Sequence, residues 1–266
     1  MPRPVVLVIA GTDSSGGAGL LRDARTLERM GVDVACAVTT VTAQTDAGVL
    51  GVHSVPPALV RAQIAAALAA RDVGAIKIGM LGTQATVEAV AEALEEHRGA
   101  VPVVLDPVLY ASSGAALLDM TSLAALRSRL FPLATLLTPN LPEAAYLARG
   151  EVFGNVVSSP PETRVDWANA LLAQGSRAVL LKGGHGEGPE TSDVLVRPER
   201  APVWLTDVRL DACMRGTGCA LASAIAGALA SGADLEQACR WGRAHVRELL
   251  ERRASGAACF PCNNIR

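Results

Sequence analysis

The chain is predicted to fold as α/β, a three-layer α/β/α sandwich with a mostly parallel central sheet and one edge hairpin. Three observations lead there. Short β-branched or aliphatic runs alternate with longer Ala/Leu/Arg/Glu segments through most of the 266 residues, the pattern of parallel strands joined by covering helices. The strand runs are almost wholly apolar, as a sheet buried on both faces requires. Half of the residues are hydrophobic against 19% charged and only 3% aromatic, so Ala, Val and Leu must do the packing. At this length the expectation is a single domain over residues 1–266.

Residues 5–10 form the first strand candidate, and a glycine-rich run leads from it into a helix over 19–30. A strand at 33–41 and a helix at 58–71 follow, then strand 75–78, helix 83–97, strand 101–105, helix 122–130 and strand 135–138. Helices 142–149 and 164–174 precede strand 178–182. Between 187 and 210 the pattern changes to strand, turn, strand at 193–196 and 202–205, which predicts the edge hairpin. Helices 216–231 and 235–253 close the fold. In the last of these Leu235, Ala238, Cys239, Gly242, Val246 and Leu249 recur at helical spacing as one apolar stripe. Arg240, Arg243, Arg247 and Arg252 are left on a solvated face. Residues 254–266 carry no periodicity.

A formal net charge of −2 offers no broad basic surface, which argues against nucleic acid and anionic membrane as partners and for a small molecule. Residues 1–9 lack the marks of a signal peptide, and every apolar stretch near 18 residues is broken by charge, Gly or Pro. The expected address is therefore cytoplasmic. Six cysteines, at 36, 213, 219, 239, 259 and 262, are spaced too unevenly for a disulfide framework, and free thiols are expected. Cys259 and Cys262 make a lone C-x-x-C without the second pair that a zinc site needs.

Several segments carry possible chemistry. Gly11-Thr12-Asp13-Ser14-Ser15-Gly16-Gly17-Ala18-Gly19 joins a strand to a helix, and its glycines let backbone amides approach a ligand. It has neither a Walker ending nor dinucleotide spacing, and it also reads as a tight turn. Arg215-Gly216-Thr217-Gly218-Cys219 precedes an Ala-rich helix, so Gly216 to Cys219 can form a nest of free amides at a positive helix end, fit to hold a migrating phosphoryl group. Cys219, its pKa expected to be lowered there, is placed to take a proton from a substrate hydroxyl; the same cysteine also reads as inert core. Thr138-Pro139-Asn140-Leu141-Pro142-Glu143 ends a strand where open α/β sheets bind ligands. Asn140 and Glu143 offer oxygens suited to Mg²⁺, and they equally suit an ordinary helix start. Asp106 adds a carboxylate at the same edge. Lys182, before Gly183-Gly184-His185, could pair with nucleotide phosphates. Gln44 can give and accept hydrogen bonds at once, as an aminopyrimidine edge requires, or simply face solvent.

Taken together these segments resemble the hydroxymethylpyrimidine/phosphomethylpyrimidine kinase family of thiamine biosynthesis, from about residue 5 to about residue 250. The motifs stand in the family's order: the glycine loop, Lys77-Ile78-Gly79-Met80-Leu81, Leu105-Asp106-Pro107-Val108, the Thr138 to Ala144 run, Lys182 to His185, and Gly216 to Cys219. The resemblance implies a ribokinase-like fold, ATP and Mg²⁺, and two successive phosphorylations of 4-amino-5-hydroxymethyl-2-methylpyrimidine. It implies that Gly11, Asp23, Gln44, Met80 and Val108 bind the pyrimidine. Asp106, Asn140, Glu143, Lys182 and Thr217 would serve ATP, with Asp106 and Glu143 at the metal. Cys219 would be the base, with Gly216 and Gly218 in the anion hole. A homodimer is also implied. Two departures stand out. Ala111-Ser112-Ser113-Gly114-Ala115 lacks the Lys and Asp usual after D-P-V, and Arg215 replaces a usual His, where it could restore positive charge near the phosphates. Pyridoxal kinase of the same superfamily, a non-catalytic pyrimidine sensor and, more remotely, a cysteine hydrolase are the competing readings.

Overall fold

The computed structural model describes residues 2–46, 48–110, 114, 117–150 and 155–255. In chain order the first half comprises β1 (Val5–Asp13), α1 (Gly19–Arg29), β2 (Asp33–Thr45), β3 (Gly48–Ser54), α2 (Pro57–Ala70), β4 (Val73–Ile78), α3 (Gln84–Glu95) and β5 (Val103–Leu105). The second half comprises α4 (Leu123–Ala125), β6 (Leu136–Leu137), α5 (Leu141–Arg149), α6 (Pro161–Ala173), β7 (Val179–Leu181), β8 (Glu190–Val196), β9 (Val203–Val208), α7 (Thr217–Ala230) and α8 (Leu235–Ala254).

Alternation along β1 sets the layers. Val5, Leu7 and Ile9 enter one apolar cluster, and Val6, Val8 and Ala10 enter another on the opposite face. The first cluster is completed by residues of α2 to α6, among them Ile64, Val90, Leu141 and Trp167. The second is completed by α1, α7 and α8 through Leu27, Ile225 and Cys239. Both faces of the sheet are thus covered, which is why its strands read as unbroken apolar runs.

The strands lie in the order β3-β2-β1-β4-β5-β6-β7-β8-β9. The six from β2 to β7 are parallel, while β3 pairs antiparallel with β2, and β8 and β9 form the expected antiparallel edge. A second edge hairpin, β2–β3, was not expected. β2 runs on to Thr45, beyond the expected end at 41, and its polar stretch Thr42-Ala43-Gln44-Thr45 pairs with β3 outside the apolar core. From β1 the chain goes out to β2 and β3 on one side and returns to β4 on the other. The carboxyl ends of β1 and β4 therefore flank the crevice where such sheets bind ligands.

The expected helix at 122–130 is not regular. Three residues of α4 widen into a π turn at Leu126–Leu130, and Pro132, which has no N–H to give, stands in the 3₁₀ turn that closes it. Among the described residues no helix is long and apolar enough to cross a membrane. Cys36, Cys219 and Cys239 are free, but Cys213, on an exposed loop position open to a second thiol, is disulfide-bonded, which corrects the expectation there. The Cys259-Cys262 pair lies outside the described residues.

α7 is Ala-rich because it is sandwiched. Ala220 to Ala228 are buried, and a methyl group on Gly242 of α8 would fall 2.6 Å from Ile225 Cγ1 and 3.2 Å from the Leu221 carbonyl oxygen. Gly242→Val is expected to cost about 1–3 kcal/mol through overpacking, read as a lower urea midpoint at unchanged slope.

Candidate active site

The crevice is built by the segments that end β1, β4, β5 and β7 and by the start of α7. Gly11, late in β1, packs on the end of β4: a methyl group there would sit 3.1 Å from Met80 Sδ and 3.3 Å from the Thr40 carbonyl oxygen. The glycine loop then folds back, so that a methyl on Gly19 would lie 2.5 Å from the Gly11 carbonyl oxygen. Asp13 organises this loop. Its Oδ1 accepts from Ser15 N at 2.9 Å and Ser15 Oγ at 2.8 Å, and its Oδ2 accepts from Ala18 N at 2.9 Å. Gln44 is drawn in by Ser14, whose Oγ donates to its carbonyl and accepts from its N–H, both at 2.8 Å. The Gln44 Oε1 lies 3.3 Å from Thr42 Oγ1, whose one proton is directed more closely to the Thr12 carbonyl oxygen at 2.8 Å, so the side-chain amide is only weakly tied.

Opposite stands α7. Gly216 precedes it with φ +75°, a left-handed conformation that glycine adopts without strain, and a side chain there would collide with the Gly17 carbonyl oxygen. No side chain caps the helix, so the first N–H groups, at Thr217, Gly218 and Cys219, are open to an anion. A methyl on Gly218 would lie 3.2 Å from Lys182 Nζ and 3.5 Å from Asp106 Oδ2. The predicted nest therefore faces the predicted nucleotide residues.

Asp106 is buried at the end of β5. Its Oδ1 accepts from Lys182 Nζ at 2.7 Å and from Thr138 Oγ1 at 3.1 Å. Burial works against the charge on Lys182, but the Asp106 and Glu143 carboxylates outweigh it and raise its pKa, so it remains an ammonium. Asn140 and Glu143 form a capping box at α5: Asn140 Oδ1 accepts from Glu143 N and Glu143 Oε2 accepts from Asn140 N, each at 2.9 Å. The helix-start reading of this motif is thus realised, and it fixes the Glu143 carboxyl near Lys182 and Asp106. Burial pushes that carboxyl up to about 7; Asp106 adds to the rise, while Lys182 and the N–H groups of Asn140 and Leu109 oppose it. Val108 follows Asp106 and lines the same small cavity with Gly79, Pro107 and Leu118.

Three expectations are corrected. Asp23 does not line a ligand pocket: it is wholly buried on the inner face of α1, accepting from Lys77 Nζ and from Ser223 Oγ, both at 2.8 Å. Cys219 is not acidified. Burial pushes its thiol up to about 11; Lys77 and the Gly19 N–H oppose the rise, while the Asp23 and Asp106 carboxylates add to it. Arg215 turns away from the phosphate residues and engages the glycine loop and the β2–β3 turn. The altered loop at 111–115 lies, apart from Gly114, outside the described residues.

Lys77, Asp13, Thr138 and Asp193 are the site residues that motif reasoning left unassigned. A lysine inside an apolar strand was the available signal for the first, because a lysine is fully buried only when paired. Asp193 Oδ1 accepts from Gly183 N at 2.7 Å and so fixes the chain just after Lys182, a tertiary contact with no sequence signature.

Comparison with known proteins shows the family and the fold. Residues 13–262 match the family model described as phosphomethylpyrimidine kinase. A hydroxymethylpyrimidine/phosphomethylpyrimidine kinase of Rhizobium meliloti is 39% identical over 92% of this chain and 90% of its own. The chain spans about half, 53%, of the thiamine biosynthesis bifunctional protein ThiED of Geobacter sulfurreducens, to which it is 39% identical over 99% of its length. Among solved structures, phosphomethylpyrimidine kinase from Clostridium difficile 630 superposes with a TM-score of 0.77 at 31% identity, covering 93% of this chain and 99% of that one. The pyridoxal kinase from Staphylococcus aureus in complex with AMP-PCP and pyridoxal gives 0.82 at 27% identity, covering 94% and 89%.

Two measurements probe the site. Alkylation of Cys219 in the ligand-free protein, followed by peptide mass, should be slow at pH 7 and should quicken about tenfold per pH unit up to about 11, since only the thiolate reacts; a plateau near pH 7 would contradict the raised pKa. Lys77→Met should cost about 3–5 kcal/mol in urea unfolding because it strands a buried carboxylate, and adding Asp23→Asn should restore part of the loss.

Proposed function

The chain belongs to the phosphomethylpyrimidine kinase family, with its ribokinase-like fold, and from that premise we propose how its residues carry out ATP-dependent phosphorylation of hydroxymethylpyrimidine and its monophosphate in thiamine biosynthesis. The observation that carries the assignment is the meeting of the open α7 start with Lys182 and Asp106 on one side and with the glycine loop on the other.

The pyrimidine would lie against Gly11 and Met80, with the side-chain amide of Gln44 directed to its ring edge. The triphosphate would lie along Asp106, Asn140, Lys182 and Thr217. In the transfer, an oxygen of the acceptor bonds to the γ-phosphorus as the bond to the β-phosphate oxygen breaks. It is the hydroxymethyl oxygen in the first step and a phosphate oxygen in the second. The amides from Gly216 to Cys219 would hold the migrating group, since such transfer depends mainly on positioning and charge stabilisation. Cys219 would take the acceptor's proton as a thiolate, which its high pKa makes scarce in the free protein, so turnover should rise with pH through the neutral range.

The donor set fits Mg²⁺. This ion favours one or two carboxylates together with water and phosphate oxygens, and Asp106 and Glu143 offer two carboxylates beside Lys182. When bound it would neutralise phosphate charge. Among the described residues no group of three or more His, Cys, Asp or Glu is disposed to hold a metal alone. The pyridoxal kinase reading keeps a place because of the likeness to the Staphylococcus aureus enzyme, and Gln44 favours the aminopyrimidine.

We also propose a cytoplasmic homodimer joined through the β3 edge, where the exposed Leu50 (77%) and Val52 leave apolar surface on an edge strand. Native mass should correspond to two chains, and Leu50→Asp should reduce it to one.

Incubation with ATP, Mg²⁺ and hydroxymethylpyrimidine should give monophosphate and then diphosphate by mass. Folded protein that yields neither, or that turns over pyridoxal faster, would overturn the assignment. Cys219→Ala should lower kcat by about 10²–10⁴-fold with KM for ATP unchanged; a drop of only a few-fold would remove the base role.

A further inference from the structure

Arg215 stands three residues before Gly218, yet its guanidinium serves a different part of the crevice. Nη1 donates to Ser15 Oγ at 3.1 Å, to the Thr45 carbonyl at 3.1 Å and to Asp46 Oδ1 at 2.9 Å, and Nη2 donates to Asp13 Oδ2 at 3.1 Å. Two carboxylates thus neutralise it, and its side chain is only 14% exposed. Gly17 leaves room for this arm: a methyl there would lie 3.3 Å from Nη1. Three segments remote in sequence, the glycine loop, the β2–β3 turn and the approach to α7, are joined by one side chain. A planar fork with several fixed donors can span three such acceptor groups, which a lysine ammonium or an imidazole cannot.

Gln44 sits inside this network. Its backbone is held by Ser14 in both directions, and the next carbonyl, that of Thr45, is one of the Arg215 acceptors. Without the guanidinium, Asp13 and Asp46 would each lose their ion pair, and the β2–β3 turn would lose its tie to the approach to α7.

We propose that Arg215 is a positioning residue that clips the glycine loop and the β2–β3 turn onto the start of α7, setting Gln44 at the pyrimidine and taking no part in holding the nucleotide. The inference rests on the kinase reading above and assigns Arg215 to the acceptor side of that reaction.

Steady-state kinetics with ATP and each acceptor test it. Arg215→Ala should raise KM for hydroxymethylpyrimidine and for its monophosphate alike by about tenfold, equivalent to about 1.4 kcal/mol, with KM for ATP within about twofold. Arg215→Lys should recover part of the loss. Asp46→Ala, which removes a partner that is 48% exposed and should leave folding intact, should raise both acceptor KM values by a smaller factor. The double variant should be no worse than Arg215→Ala alone. A rise confined to the monophosphate or shared by ATP would mean a direct phosphate contact and would overturn the clip. So would acceptor KM values unmoved in Asp46→Ala, or effects that simply add in the double variant. Wild-type protein that phosphorylates no pyrimidine would instead bring down the kinase reading, and the clip with it.

Discussion

Lys77 and Asp23 meet at 2.8 Å beneath the crevice, both wholly buried, and the parts of the site are carried by elements that this contact ties together. Lys77 comes from β4, Asp23 from α1, and Ser223 of α7 completes the carboxylate's second oxygen. Taking two ions out of water costs several kcal/mol each, so the pair adds little net stability over an apolar one. What it imposes is registration, since a shift of any of the three elements would leave a buried charge unmet. Burial opposes the charge on Lys77, but Asp23 more than offsets this and raises its pKa above the ordinary lysine range. The K-I-G motif has a physical reading in this light: a methyl on Gly79 would stand 2.7 Å from Lys77 Nζ, so the ammonium reaches Asp23 past a residue without a side chain.

From that anchor the crevice is a row of alternating charge. Asp23 and Lys77 lie beneath Cys219, Asp106 and Lys182 beyond it, and Glu143 at the far end. The thiol feels both carboxylates and both burial and the lysine, and the sum keeps it protonated in the free protein. A helix start lowers a cysteine pKa when the sulfur is wetted and cations dominate. Here desolvation is the larger effect, which is why the expectation from sequence had the wrong sign.

The sheet and nearly all helices could be read from periodicity because both faces are covered, which makes each parallel strand an apolar run and each helix an amphipathic or small-residue stripe. The β2–β3 hairpin could not, because Thr42 to Thr45 is polar and pairs outside the core. In the site, the segments were legible and the partners were not. Glycines at 11, 216 and 218 announce close approach in the sequence itself. Whether Asp23 faces a ligand or a buried lysine, and whether Arg215 faces phosphates or Asp13 and Asp46, is decided by contacts between residues 54 to 202 positions apart.

The same pairings decide what a nucleotide meets on arrival. Lys77 is paired with Asp23, Lys182 with Asp106 and Arg215 with Asp13 and Asp46, while burial holds the Glu143 carboxyl up at about 7. The open amides of α7 carry a positive end of roughly half a charge, far less than a triphosphate brings. Arg22 and Arg25 at the glycine loop donate to backbone carbonyls, of Gly17 and Gly16, and so keep their charge beside the α7 start. Asp106 and Glu143 are the carboxylates that would hold a divalent ion here, and its charge would offset that of the phosphates. The lysines of the crevice are thus held by carboxylates, while Arg22 and Arg25 at the glycine loop are held by carbonyls.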